Sequence, residues 1–308
     1  MKTITELLNI KYPVIQGAMA NISLHPLVAA VSNAGGLGVL ATGLNEPDWV
    51  REEIRKIKQL TDKPFAVNLF LFSSYSKEIA EIVIEEGVKI VTTGAGNPQP
   101  YIKDWKEAGI IVIPVVSSVA LAVRMERFGA DAVIAEGREA GGHIGPLSTF
   151  PLIPQIARAV KIPVIAAGGI GNYQGVAAAL ALGAKGVQVG TIFLASEECP
   201  IHENYKNLVL KARDTSTVVT SSTHADVRVL KNPMATTYNN MIRDGASPEE
   251  LEKLTSGSLR KAIIDGNLDE GSFMAGEIAG LIDEIKPVKQ IIEDLINPVN
   301  DYLKTLKI

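Results

Sequence analysis

The residues of this chain best placed to do chemistry surround one imidazole. His143 stands in the run Glu136-Gly137-Arg138-Glu139-Ala140-Gly141-Gly142-His143-Ile144-Gly145, among four glycines. Histidine can donate, accept or transfer a proton near neutral pH. Glycines on either side let the backbone close on a planar ligand. A loop built only for structure gains little from this pairing, although a histidine that hydrogen-bonds the loop to itself is the bland alternative. The other three histidines lack such a setting: His25 precedes Pro26 at a predicted helix start, and His202 and His224 fall in a polar stretch, so all three read as surface or lid residues. The single cysteine, Cys199, lies in Glu-Glu-Cys-Pro without cationic neighbours and reads as structural.

A second signature is anionic recognition. Ala166-Ala167-Gly168-Gly169-Ile170-Gly171 and Gly190-Thr191 each follow an apolar run, and main-chain amides without side chains can crowd a phosphate there, with the Thr191 hydroxyl as a further donor. The same glycines also suit tight turns. Four polar residues interrupt runs that are otherwise apolar: Gln16, Asn68, Glu136 and Gln188. Each needs a partner, either within the protein or on the polar edge of a planar ring. Glu136 and Glu139 have no histidine or second acid at ligand spacing, so a metal centre has little support.

These residues need a scaffold that brings them to one end. Up to residue 195 the chain repeats a unit of roughly 25 residues, an apolar β-branched run followed by an amphipathic helical stretch. The runs are Val14 to Gly17, Leu37 to Ala41, Phe65 to Leu69, Lys89 to Thr93, Ile110 to Val115, Asp131 to Ala135, Pro163 to Ala167 and Gly186 to Gly190. They scarcely alternate, as buried parallel strands do not. Eight such units predict an α/β fold, a (β/α)₈ TIM barrel. The alternative, a doubly wound open sheet, is disfavoured because no Gly-x-Gly-x-x-Gly follows the first strand. Helical signals fall between the runs: Glu46-Pro47-Asp48 opens a stretch whose Val50, Ile54 and Ile57 share a face, and Ser117-Ser118 can cap a helix ending at Phe128-Gly129. In such a barrel the active site lies at the C-terminal ends of the strands, where the glycine loops, Glu136 and the His143 loop all fall.

Beyond Ala195 the pitch fails. Residues 196–271 read as a helical insertion after the eighth strand, a lid of short helices with few β runs, and 272–308 as a C-terminal segment packing back on the barrel through Ile285, Val288, Ile291, Ile292 and Leu295. A hydrophobic content of 46% in 308 residues suffices for one barrel and this appendage. A formal net charge of -4 leaves no basic face for nucleic acid. No signal-peptide core is present, and no run reaches the roughly 18 apolar residues of a membrane span, so the expectation is a cytoplasmic protein without membrane contact.

Taken together, PVIQGAMA, SNAGGLGVL, DKPFAVNL, VKIVTTGAGNP, IAEGREAGGHIG, PVIAAGGI, GVQVGT and GSFMAGEIAGLI, in this order along nearly the whole chain, resemble the flavin-dependent enoyl-acyl-carrier-protein reductases and their relatives the nitronate monooxygenases. The resemblance implies one non-covalent FMN. Its phosphate would meet Gly168, Gly169, Gly190 and Thr191, its ring would lie near Gly17, Met19, Asn68, Glu136, Gly141 and Gly142, and Ala167 and Gln188 count among the cofactor-binding residues. His143 falls on the histidine that both families place beside the flavin. A homodimer is likewise implied. The sequence departs from the usual pattern at Ala18, Asn21, Ile192 and Gly171-Asn172-Tyr173, and Ile192 removes a cation that commonly follows Gly-Thr.

The resemblance therefore implies an FMN enzyme that uses NADH or NADPH to reduce a trans-2-enoyl thioester of acyl carrier protein or coenzyme A, as in fatty-acid elongation. The alternative is a nitronate monooxygenase in which the flavin consumes oxygen. A third reading, a flavin- or phosphate-binding barrel without catalysis, draws only on Ala18 and Ile192.

Overall fold

A computed structural model describes residues 3–221 and 226–306, so His224 lies outside the described residues. Eight parallel strands form one sheet: β1 Val14–Gln16, β2 Gly38–Ala41, β3 Phe65–Phe70, β4 Ile90–Gly94, β5 Ile111–Val116, β6 Val133–Glu136, β8 Val164–Ala167 and β9 Gly186–Val189, with the short β7 Gly142–Ile144 outside it. The order β1-β9-β8-β6-β5-β4-β3-β2 closes where Gln16 N–H donates to Leu37 C=O at 2.9 Å and Leu37 N–H to Val14 C=O at 2.9 Å. All eight predicted runs are strands, displaced by one or two residues at their ends. The fold is a (β/α)₈ barrel.

Its interior is filled by Ile15, Leu37, Val39, Ala66, Ile90, Ile113, Ala132, Ile134 and Ile165, with Ile4 and Leu8 of the N-terminal helix Ile4–Leu8 in the same cluster. The apolar plug leaves the polar strand residues to the opposite, C-terminal mouth. Outside, the helix Pro47–Leu60 buries Val50, Ile54 and Ile57, and the helix Val119–Phe128 is capped by the Ser118 hydroxyl on Leu121 N–H and ends at a left-handed Gly129. Both follow from the sequence.

The region after β9 differs from the expectation of a purely helical lid. Helices form at Glu203–Leu210, Pro233–Arg243, Pro248–Thr255 and Ser258–Ile263, but a hairpin, β10 Thr217–Ser221 and β11 Asp226–Leu230, lies between them. Its β-branched pairs Val218-Val219 and Val227/Val229 sit among polar residues, which hid the strand period. The hairpin finds a third strand in β7, giving the sheet β10-β11-β7. From Ser272 the chain crosses back as a strap, and the helix Val288–Ile296 buries Val288, Ile291, Ile292 and Leu295 against the helices His25–Asn33 and Tyr173–Ala181. Ile285 is a correction, since it precedes that helix and is exposed. No helix among the described residues is long and apolar enough to cross a membrane.

Candidate active site

Three strands set one row of side chains at the mouth: Glu136 of β6 pairs in register with Ala167 of β8, and Ala167 with Gln188 of β9. The loops beyond them close on one another through glycine. A Cβ on Gly168 would stand 2.8 Å from the Gly137 carbonyl, and one on Gly141 2.7 Å from the backbone of Ala275 and Gly276. Gly168 has φ +87°, a conformation that glycine adopts without strain. Met19 lies against Gly190, Gly17 packs on Gly190 from the first strand's loop, and the Met274 thioether lies beside Gly142. Gly17, Met19, Gly141, Gly142, Ala167, Gly168, Gly169, Gly190 and Thr191 are thus brought to one cleft. Asn68, on β3, stands across the barrel mouth from β8 and β9.

The cleft's hydrogen-bond inventory shows what it can hold. The amides of Gly168, Gly169, Gly190 and Thr191 donate to no acceptor among the described residues. Thr191 Oγ1 accepts from Gly276 N–H at 2.8 Å, which leaves its own proton free to donate. Four amides and a hydroxyl proton, donated to no described residue, three of the amides on glycine, fit a phosphate ester. Of the four polar strand residues, two are already engaged: Gln16 donates to Ser23 Oγ at 2.6 Å, and Asn68 to Thr92 Oγ1 at 2.9 Å. The side chains of Glu136 and Gln188 bond to no described residue. Because no fully buried polar atom lacks a partner among the described residues, their polar ends must open on the mouth.

Burial pushes the Glu136 carboxyl up to about 7, since no cation or donor offsets the loss of solvent. It can therefore donate or accept at neutral pH. Glu139 is different, for its carboxylate accepts from Thr149 N–H at 2.9 Å and from the Thr149 hydroxyl at 2.9 Å, at the start of the helix Thr149–Ala159. Its role is to hold the loop.

His143 sits at the centre of β7, opposite Val227 of β11. Its side chain reaches solvent, yet the protein packed on its other side lowers its pKa through desolvation. No charged partner contributes, so the ring is neutral at neutral pH and presents one N–H donor and one acceptor nitrogen. Of the other histidines, His202 is exposed and accepts from Asn204 N–H at 3.1 Å. His25 is not a plain surface residue: its Nδ1 lies 2.8 Å from the buried carboxylate of Glu53, because the helix carrying Glu53 packs over the start of its own.

The family model for nitronate monooxygenases matches residues 1–298. The chain belongs to the nitronate monooxygenase family. Among solved structures, FabK from Thermotoga maritima superposes with a TM-score of 0.96 at 49% identity, covering 99% of this chain and 98% of that one. A "(3aS,4S,5R,7aS)-5-hydroxy-7a-methyl-1-oxo-octahydro-1H-indene-4-carboxyl-CoA dehydrogenase" of Mycobacterium tuberculosis is 34% identical over 98% of this chain and 97% of its own. A "Probable nitronate monooxygenase" of Staphylococcus saprophyticus is 33% identical over 97% and 98%. The curated relatives are redox enzymes by name, and this chain is an oxidoreductase of the same family.

Several supporting residues carry no sequence signal strong enough to find. Ser23 accepts from Gln16 and from Met19 N–H at 2.9 Å and donates to Gly17 C=O at 3.2 Å, fixing the first loop. The Thr149 hydroxyl, which has one proton to share between them, lies 2.9 Å from both the Glu139 carboxylate and Gly168 C=O. Met274 was visible only as part of the GSFMAGE stretch.

Proposed function

We propose that this chain is an FMN-dependent reductase of trans-2-enoyl thioesters, carried by acyl carrier protein or coenzyme A, with NADH or NADPH as reductant. The observation that carries the reading is the 49% identity with FabK over 99% of the chain, well above the 33–34% found for the other two relatives. FabK stands for the flavin-dependent enoyl reductases that the motifs resemble. The mycobacterial relative's name, a dehydrogenase of a CoA thioester, supports a thioester substrate as well.

FMN, when bound, would supply hydride transfer from the nicotinamide to the β-carbon of the enoyl group, while the α-carbon takes a proton from solvent or an acid group. The residues present fit it. The free amides of Gly168, Gly169, Gly190 and Thr191 with the Thr191 hydroxyl would hold its phosphate, and Glu136 and Gln188 offer unpartnered polar ends to its ring. His143, neutral and without a carboxylate to charge it, donates a hydrogen bond to the thioester oxygen where enolate charge develops.

The test is anaerobic reoxidation of the reduced holoenzyme by crotonyl thioester, set beside oxygen uptake by the oxidised holoenzyme given a nitronate, with the thioester arm repeated with His143→Ala. Rapid reoxidation by the thioester, slowed on the order of 10²-fold or more in the variant with flavin retained, is expected. The family model and the staphylococcal relative favour the second reading, a nitronate monooxygenase. Oxygen uptake driven by nitronate, with no response to the thioester, would establish that reading instead.

A further inference from the structure

His143 belongs to no barrel strand. It lies on β7, whose strand partner is β11 of the insertion, in the register Asp226↔Ile144, Val227↔His143 and Arg228↔Gly142. What holds β11 in place therefore also places the imidazole. Arg228 is the buried cation of that strand, 7% exposed, and its guanidinium reaches three separate pieces of chain. Nε donates to Arg138 C=O at 3.2 Å in the loop before β7, Nη1 to Thr217 Oγ1 at 3.1 Å on β10, and Nη2 pairs with Glu277 Oε1 at 2.9 Å on the returning strap. A second tie runs the other way, from Arg138 Nη2 to Asp226 Oδ2 at 2.9 Å. The strap is itself fastened to the same loop, Glu277 N–H donating to Glu139 C=O at 3.0 Å.

Arginine suits this post because its planar fork presents donors in fixed, divergent directions, which a lysine ammonium cannot reproduce. The antiparallel register puts Val227 beside His143 on one face and Arg228 behind Gly142 on the other. The guanidinium thus braces the strand from behind without touching the reacting face. We propose that Arg228 is a positioning residue for His143, fixing the β7 strand against the insertion hairpin, so that the insertion is a structural half of the reactive site. The proposal rests on His143 being the working group of the site.

The experiment uses the holoenzyme and the variants Arg228→Met and Arg228→Lys, with bound flavin measured by absorbance and the His143 ring titrated by NMR. With flavin content unchanged, the expected results are a His143 pKa that moves up toward its ordinary value, as water enters behind a loosened strand, and turnover lowered by about 10- to 100-fold, the loss that misplacement by about an ångström produces. Arg228→Lys, able to keep the Glu277 pair but not all three bonds, should fall between wild type and Arg228→Met. Should Arg228→Met fail to fold, Glu277→Gln, at a half-exposed position, weakens the same fork and should shift the titration in the same direction by less. A His143 titration and turnover unchanged in every variant that retains flavin would overturn the proposal. The titration does not depend on which substrate the enzyme uses, so it stands or falls apart from the reductase reading.

Discussion

Replacing Glu136 by glutamine should remove a pH-dependent cost to folding. Burial raises this carboxyl from 4.5 to about 7, so the folded protein holds the proton more tightly than the unfolded chain. Linkage then gives the sign: stability is greatest below the unfolded value and falls as pH rises from about 4.5 through 7, where the folded carboxyl ionises. A shift of about 2.5 units at 1.36 kcal/mol per unit amounts to about 3 kcal/mol, most of it expressed between pH 5 and pH 8. The side chain still opens on the mouth, so about 2 kcal/mol is the more realistic figure. The amide has the same shape and no charge to bury. Urea unfolding of cofactor-stripped protein at a series of pH values should therefore show Glu136→Gln gaining on wild type by about 2 kcal/mol between pH 5 and pH 8. His143 and the remaining groups titrate in both proteins and cancel in the difference. Two parallel curves, separated by a constant amount, would refute the claim that burial holds Glu136 neutral.

Other sites give further tests. Thr191→Val removes a donor to the phosphate and strands Gly276 N–H, so FMN should bind about 10- to 100-fold more weakly, as isothermal titration or fluorescence recovery would show. Gly141→Ala must push the strap at Ala275 and Gly276 away, and should cost about 1–3 kcal/mol in chemical denaturation. Glu53 is buried, which alone would raise its pKa, but the backbone N–H and ring of His25 and the ammonium of Lys56 hold it below the usual range. His25→Ala should then destabilise the fold by about 1–3 kcal/mol at pH 7, with the deficit shrinking as the pH falls and Glu53 protonates.

The barrel was legible because each of its units repeats the same demand, an apolar run that must be covered on both faces. The position of the glycine loops was legible for a related reason, since Gly168, Gly169 and Gly190 follow strands whose ends are fixed by the fold. The reactive end was harder to read. His143 stood out by residue type, but its strand did not, because β7 is three residues long and its partner lies more than eighty residues away in a stretch that looks polar. Arg228, Glu277 and Thr217 carry no local sign that they meet. Local pattern reports burial and period, whereas a buried guanidinium with three partners from three segments is a property of the assembled chain.

The two ends of the cleft differ in how they tolerate change. The end proposed for the phosphate offers main-chain amides, so Ala18 and Ile192 leave its donors in place; Ile192 lines a surface cleft with Tyr173, Leu281, Ile282 and Leu295 beside the charged Asp283, Glu284, Lys286 and Asp294. The end proposed as reactive centres on His143 of β7, a strand that the insertion and the strap anchor and whose anchoring can vary without loosening the glycine loops. Such a division suits relatives whose names span a dehydrogenase and a monooxygenase. Its consequence can be measured, for substitutions on β10, β11 and residues 272–277 should change turnover and substrate preference at nearly constant flavin affinity, while those at Gly168 to Gly171 and Gly190 to Thr191 should do the reverse.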